Sequence, residues 1–202
     1  MATITTDMVK ELRQATAAGI LDCRKALESA DGDFNKAVDY LREKGLVKAA
    51  KRMDREAKDG LVVSYIHAGG RIGALVEVNC ETDFVARTEE FQTLVNDIAL
   101  QIAAMSPKYV KREDIPESVL EHERELYRAQ ALEEGKPESV VDRIIDGRVE
   151  KFYKEVCLLE QDFIRDEDKT IDDLLKDAIT KTGENMVIRR FARFELGESL
   201  GE

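Results

Sequence analysis

Between Leu61 and Asn79 the chain makes two runs of strand-forming residues separated by a glycine-rich break. Leu61-Val62-Val63-Ser64-Tyr65-Ile66-His67 is β-branched and aromatic, and Ala68-Gly69-Gly70-Arg71 supplies a turn. Ile72 to Asn79 is the return strand, with Glu77 and Asn79 alternating against Val76 and Val78. An amphipathic helix then runs from about Thr88 to Met105, with Phe91, Leu94, Val95, Ile98 and Ile102 at helical spacing. Glu89 and Glu90 suit its first turn, and Ser106-Pro107 stops it. A hairpin that hands on to such a helix confines the fold to a sheet with a helical cover on one face. The connection, Asn79-Cys80-Glu81-Thr82-Asp83-Phe84-Val85-Ala86-Arg87, sets a carboxylate beside a phenyl ring. Connections held by a rigid scaffold are where binding chemistry tends to sit.

Composition narrows the class. The 202 residues are 43% apolar, enough for a core, and 36% charged, which suits exposed helices. The net charge of −11 argues against nucleic acid as a partner, because phosphate contacts need clustered Lys and Arg. Charge also divides the chain. Residues 1–58 carry 12 basic and 10 acidic side chains, leaving 19 and 32 for the rest. This predicts two domains, 1–54 and 55–202. Cys23, Cys80 and Cys157 are odd in number and lack a CxxC, as expected of buried, inert thiols in a reduced cytoplasmic protein. Neither a signal peptide nor a membrane span is expected.

The first domain reads as three short helices. Thr6 and Asp7 are placed to cap the first, whose face is Met8, Val9 and Leu12; Ala17-Ala18-Gly19 breaks it. Ile20, Cys23, Ala26, Leu27 and Ala30 stripe the second. Asp31-Gly32-Asp33 turns the chain, and the third carries Phe34, Ala37, Val38 and Leu41 and stops at Gly45 as a C′ glycine. So small a core marks a docking module rather than an enzyme. Leu46 to Asp59 reads as a helical linker. Its Lys48, Lys51, Arg52, Arg55 and Lys58 form either a solvated face or a contact strip for an acidic surface.

Residues 116–159 read as a protruding antiparallel helical hairpin. Pro116 and Pro137 stand as first-turn prolines, Gly135 ends the first helix, and Val141, Ile145, Val149, Phe152, Val156 and Leu159 make a narrow stripe. Thr170-Ile171-Asp172-Asp173 opens a last helix in capping-box fashion, and Gly183 ends it. In the closing strand, Met186, Ile188, Ala192, Phe194 and Leu196 share one face, interrupted by Arg190. The expected fold is therefore α+β: three N-terminal helices, then a three-stranded antiparallel sheet covered by helices, with a helical arm. Such a sheet has an edge and a face to hide, and homodimerisation would hide them.

Catalytic signatures are missing. There is no P-loop, GxSxG, HExxH or zinc spacing, and Gly69, Gly70 and Gly73 lack the spacing of a dinucleotide fingerprint. His67 stands alone at a strand end. No metal, cofactor or bound nucleotide is expected. The choice lies between a binding factor and an enzyme with an unmarked site.

Several stretches are recognisable together. They are Leu12-Arg13, Ala18 to Leu27, Lys48-Ala49-Ala50-Lys51, Asn79 to Arg87, Gly135-Lys136-Pro137, Gly147-Arg148, Lys151-Phe152, Leu158 to Gln161, Arg189-Arg190-Phe191 and Arg193 to Gly197. In these the chain resembles the bacterial elongation factor Ts family, in its short form, collinearly from end to end. The resemblance implies an exchange factor, not an enzyme, that binds elongation factor Tu and promotes GDP release. It implies a ubiquitin-associated-like N-terminal module docking on the partner through Leu12, Arg13, Gly19, Ile20 and Leu21. It also implies that Thr82, Asp83, Phe84 and Val85 disturb the partner's Mg²⁺ site. Ile20-Leu21 departs from the methionines common in the family but keeps their apolarity. The rival is a protein-interaction scaffold without exchange activity. Phe84 separates the two lines of reasoning: it lies seven residues before Phe91, so periodicity puts it on a buried face, whereas the resemblance requires it to be exposed.

Overall fold

The computed structural model describes residues 4–16, 18–50, 52 and 54–199. Ala17 of the first break and, in the basic stretch, Lys51 and the Lys48 side chain lie outside the described residues. The order of elements is α1 (Thr6–Thr16), α2 (Ile20–Ser29), α3 (Phe34–Ala50), β1 (Asp59–Ile66), β2 (Ile72–Cys80), α4 (Asp83–Ala86), α5 (Glu89–Met105), α6 (Glu117–Glu133), α7 (Glu138–Val156), β3 (Asp162–Phe163), β4 (Asp166–Thr170), α8 (Ile171–Thr182) and β5 (Met186–Glu195). The fold is α+β, with an antiparallel sheet ordered β1-β2-β5 and a separate β3–β4 pair. Two compact units result. One comprises Met1–Gly60, Asn79–Phe91 and Leu175–Val187; the other comprises Leu61–Val78, Gln92–Leu174 and Ile188–Glu202.

In the first unit, α1 to α3 bury Val9, Leu12, Cys23, Ala26, Leu27, Ala37 and Leu41 together. Thr5, one residue ahead of the expected cap, accepts the Met8 N–H, and Asp33 caps α3 through the Lys36 N–H. Gly45 does not stop α3, which continues to Ala50. Its role is proximity: a Cβ there would stand 2.9 Å from Thr180 Cγ2, and the Thr180 hydroxyl donates to the Gly45 carbonyl. The stretch Leu46 to Asp59, expected as a helical linker, is helical only to Ala50 and hands on to β1 at Asp59, and two of its arginines are used internally. Arg52 donates to the Ile179 carbonyl, and Arg55 lies 3.5 Å from Glu81.

In the second unit, Ala74, Val76 and Val78 are buried while Leu75 is exposed, the alternation expected of a half-covered strand. Glu77 pairs with Arg190 at 2.7 Å. Asn79, at the end of β2 and within the first unit, is buried rather than exposed, its amide donating to the Asp59 carbonyl of that same unit. β5 departs from the expected single face. Met186 and Ile188 are buried, but Arg189 and Arg190 are both exposed, and afterwards Phe191 and Arg193 turn inward while Ala192, Phe194 and Leu196 turn out. A shift of one residue exchanges every later side chain between faces. Arg193 gains the Ala103 carbonyl at the end of α5 as its partner. Val62, Ile66, Leu75, Phe194 and Leu196 are consequently exposed apolar side chains of this sheet.

The arm is a hairpin of α6 and α7 with Ala131, Val141, Ile145 and Val149 at its core. Pro116 and Pro137 cap the two helices rather than opening their first turns. Gly135, at φ +72°, reverses the chain, with the Lys136 N–H bonding the Ala131 carbonyl as in a Schellman motif. Tyr153 packs on the core in place of Phe152. α7 ends at Val156 instead of reaching Leu159, because residues 108–110 capture the backbone of 156–159. The β3–β4 pair is absent from the sequence expectation. Its acidic sequence hides it, and the buried Gln101 holds it by donating to the Asp162 carbonyl and accepting from the Ile164 N–H.

Arg112 knots the base of the arm. Its guanidinium lies over the Tyr153 ring at 4.3 Å and bonds both Glu150 and Glu160. That bond, the largest influence, holds the Glu160 carboxyl below the usual carboxylate range. A depressed carboxyl contributes stability above its unfolded value, here 4.5, and loses it as pH falls through the folded value. Arg112→Leu is therefore expected to lower the urea midpoint at neutral pH, with the gap to the parent closing as pH drops below 4.5. A gap independent of pH would refute the linkage.

Candidate functional site

The site begins where β2 leaves the sheet. Thr82 takes an extended conformation and caps α4, its hydroxyl accepting the Val85 N–H at 3.4 Å. A helix of four residues makes too few internal hydrogen bonds to hold itself. Burial fixes it instead: Val85 is 6% exposed and Ala86 5%. Successive helical residues are about 100° apart, so anchoring Val85 and Ala86 turns the preceding pair outward. Phe84 is 79% exposed, and Asp83 beside it is exposed as well. Thr88 joins α4 to α5, donating to the Val85 carbonyl at 2.7 Å and accepting from the Phe91 N–H. That break in helical phase between Phe84 and Phe91 is why periodicity misplaces Phe84.

Neighbouring groups brace this corner. The Glu184 carboxylate accepts both the Thr82 N–H, at 3.0 Å, and the Thr82 hydroxyl, at 2.6 Å. The Glu81 carboxylate accepts the Asn185 N–H at 2.6 Å. The Cys80 thiol donates to the Thr82 carbonyl, and burial, reinforced by the charge of Glu184, pushes its pKa up to about 11, so it stays protonated and inert at neutral pH. Arg87 lies 2.7 Å from the Asp83 carboxylate.

The residues expected to dock, Leu12, Arg13, Gly19, Ile20 and Leu21, lie in the same compact unit. Gly19 caps α2 in an extended conformation, and Ile20 and Leu21 follow at 56% and 75% exposure. Arg13 is exposed on α1. Leu12 is fully buried in the three-helix core, so its contribution is to packing and it offers no surface to a partner. Val85 likewise anchors rather than contacts. Of the bracing residues, Arg87 was legible as the i+4 neighbour of Asp83. Glu184 was not, standing 102 residues from Thr82 with no spacing to betray it.

An exposed phenylalanine beside a carboxylate, held by buried anchors, is a surface suited to contact with another protein. Residues 2–198 match the family described as Elongation factor TS. Elongation factor Ts of Thermoanaerobacter sp. (strain X514) is 64% identical over 197 residues, covering 98% of this chain and 97% of that protein. Its counterparts in Caldanaerobacter subterraneus and Moorella thermoacetica are 63% and 60% identical, covering 98% and 95% of this chain and the same shares of theirs. The chain belongs to the elongation factor Ts family.

Proposed function

We propose how the chain performs its family's role, guanine nucleotide exchange on elongation factor Tu: α4 is the working element, and the start of α2 is the docking corner. The exposure of Phe84 beside Asp83, on a helix anchored by Val85 and Ala86, carries the reading. Ile20 and Leu21, flanked by Arg13, seat the three-helix, ubiquitin-associated-like module on the partner. Phe84 wedges between partner helices and shifts the segment that ligates Mg²⁺, and Asp83 supplies a hydrogen-bond acceptor in the rearranged site. With the cation's hold weakened, the phosphates of GDP lose their main counter-charge and the nucleotide leaves. Coupling is reciprocal: a factor that weakens GDP binding must bind the nucleotide-free partner more tightly. The chain does no bond-making chemistry. Its place of action is the cytoplasm, and no described helix is long and apolar enough to cross a membrane.

The direct test is stopped-flow release of a fluorescent GDP from elongation factor Tu. Release should accelerate with added factor and saturate. A rate indifferent to the factor would end the proposal.

The same reading makes the protein a homodimer. β1 and β5 are the edges of the sheet, and Val62, Ile66, Leu75, Phe194 and Leu196 leave one of its faces apolar and exposed. A second copy of that surface is self-complementary. Light scattering at micromolar concentration should return twice the 22.8 kDa chain mass, and Phe194→Asp should halve it. A monomeric parent would overturn the dimer without touching the exchange mechanism.

A further inference from the structure

We propose that Glu184 is a positioning residue for exchange: its carboxylate sets the attitude of α4 and so the direction in which Phe84 and Asp83 present themselves. This rests on the wedge reading above. The observation behind it is a clasp between two segments distant in sequence. Glu184 receives two hydrogen bonds from Thr82, one from the backbone N–H and one from the hydroxyl. Its neighbour Asn185 donates its N–H back to Glu81 at 2.6 Å. Two consecutive residues on each side are thereby paired crosswise.

The direction of the Thr82 hydroxyl is decided by this arrangement. With its hydrogen on Glu184 at 2.6 Å, its lone pairs remain for the Val85 N–H, which is the cap of α4. Hydrogen bonds to an ionised acceptor are roughly twice as strong as neutral ones. The carboxylate thus orders the side-chain N-cap of this four-residue helix.

Glu184 is itself aimed. Gly183, at φ +83°, takes the left-handed turn that ends α8. The Thr182 hydroxyl accepts the Glu184 N–H at 3.4 Å and donates to the Ala178 carbonyl at 2.8 Å. Arg52 caps the same helix end through the Ile179 carbonyl at 3.2 Å. Asn185 is anchored in turn, its amide donating to the Arg55 carbonyl at 2.6 Å. The turn after α8 is therefore a fixed post against which the wedge is tied. A residue acting this way alters how well the bound factor distorts its partner, and not how tightly the α2 corner docks.

The experiment is fluorescent GDP release across a range of factor concentrations for the parent, Glu184→Ala, Glu184→Gln, Phe84→Ala and the Phe84→Ala/Glu184→Ala pair. Glu184→Ala is expected to lower the maximal rate about tenfold while the half-saturating concentration moves less than about twofold. Glu184→Gln should recover most of the loss, since its amide oxygen still accepts the Thr82 N–H and its amide nitrogen can donate to the hydroxyl. In the Phe84→Ala background, removing Glu184 should cost less than about twofold more, because the two act through one element. Should Glu184→Ala fail to fold, Glu184→Asp, which draws the carboxylate back by one methylene, carries the same expectation. A parental maximal rate, or a loss that multiplies in full with that of Phe84→Ala, would overturn the positioning role. If Phe84→Ala itself exchanges like the parent, the wedge reading falls and this inference with it. A slow Phe84→Ala beside a fast Glu184→Ala refutes the inference alone.

Discussion

The double substitution Asp83→Ala, Phe84→Ala is expected to reduce factor-stimulated GDP release from elongation factor Tu by about a hundredfold at saturating factor. Seating a phenylalanine side chain in a partner stabilises by about 2–3 kcal/mol, and about 1.4 kcal/mol corresponds to tenfold in rate. The lost acceptor of Asp83 supplies the remainder. Stability is expected to change little, for a reason visible in the free protein. Phe84 is 79% exposed, so its truncation opens no cavity. The Asp83–Arg87 pair is an exposed i,i+4 contact, and such pairs are worth about 0.5 kcal/mol or less. Val85 and Ala86, which anchor the helix, are untouched. The two measurements therefore separate: the rate falls while the melting curve overlays the parent's. By reciprocity, affinity for the nucleotide-free partner should fall more than affinity for the GDP-bound one. A double variant that releases GDP like the parent would remove α4 from the mechanism. One that melts early would mean α4 is structural.

Much of the architecture was legible because it follows short-range rules. The strand-turn-strand at Leu61–Asn79, the stripe of α5 and the glycine reversal at Gly135 each rest on residues a few positions apart, where period and turn chemistry decide. What was illegible depended on contacts across the chain. Gly45 reads as a stop by local rules, yet its role is set by Thr180, 135 residues away. β5 alternates correctly until Arg189 and Arg190, after which the inward positions change parity and Arg193 finds the Ala103 carbonyl. The β3–β4 pair is held by Gln101, more than 60 residues earlier. The candidate site shows the same division. A carboxylate beside a phenyl ring could be seen in Asp83-Phe84. Whether the ring faced in or out depended on Thr88 breaking the helical phase, and the carboxylate that ties the corner lay 102 residues downstream. Leu12 marks the opposite error: it belongs to the recognisable stretch because the module needs it as core.

The largest expected loss of stability comes from filling the gap at Gly45. Gly45→Val should destabilise the protein by about 3 kcal/mol, the upper end of overpacking costs, because the Thr180 side chain of α8 lies directly against the Gly45 backbone of α3. A Cβ at Gly45 would meet Thr180 Cγ2 at 2.9 Å and Oγ1 at 3.3 Å. Thr180 cannot easily give way: β-branching restricts χ1, and its hydroxyl is committed to the Gly45 carbonyl at 3.2 Å. Gly45→Ala sets two effects against each other. Removing a mid-helix glycine gains about 1 kcal/mol, whereas the contact costs about 1–3 kcal/mol, so a net loss is expected. Thr180→Ala decides between them. It deletes both close atoms and leaves only the Cβ at 3.7 Å, an ordinary contact. In that background Gly45→Ala should change sign and stabilise, by up to about 1 kcal/mol. Urea denaturation of the four combinations measures this directly. An equal cost of Gly45→Ala with and without Thr180 would show that the glycine is needed for some reason other than the approach of α8. The consequence reaches the site, since α8 ends at the Gly183–Glu184 turn that holds Thr82. Gly45→Val should therefore slow exchange even under conditions where the protein remains fully folded.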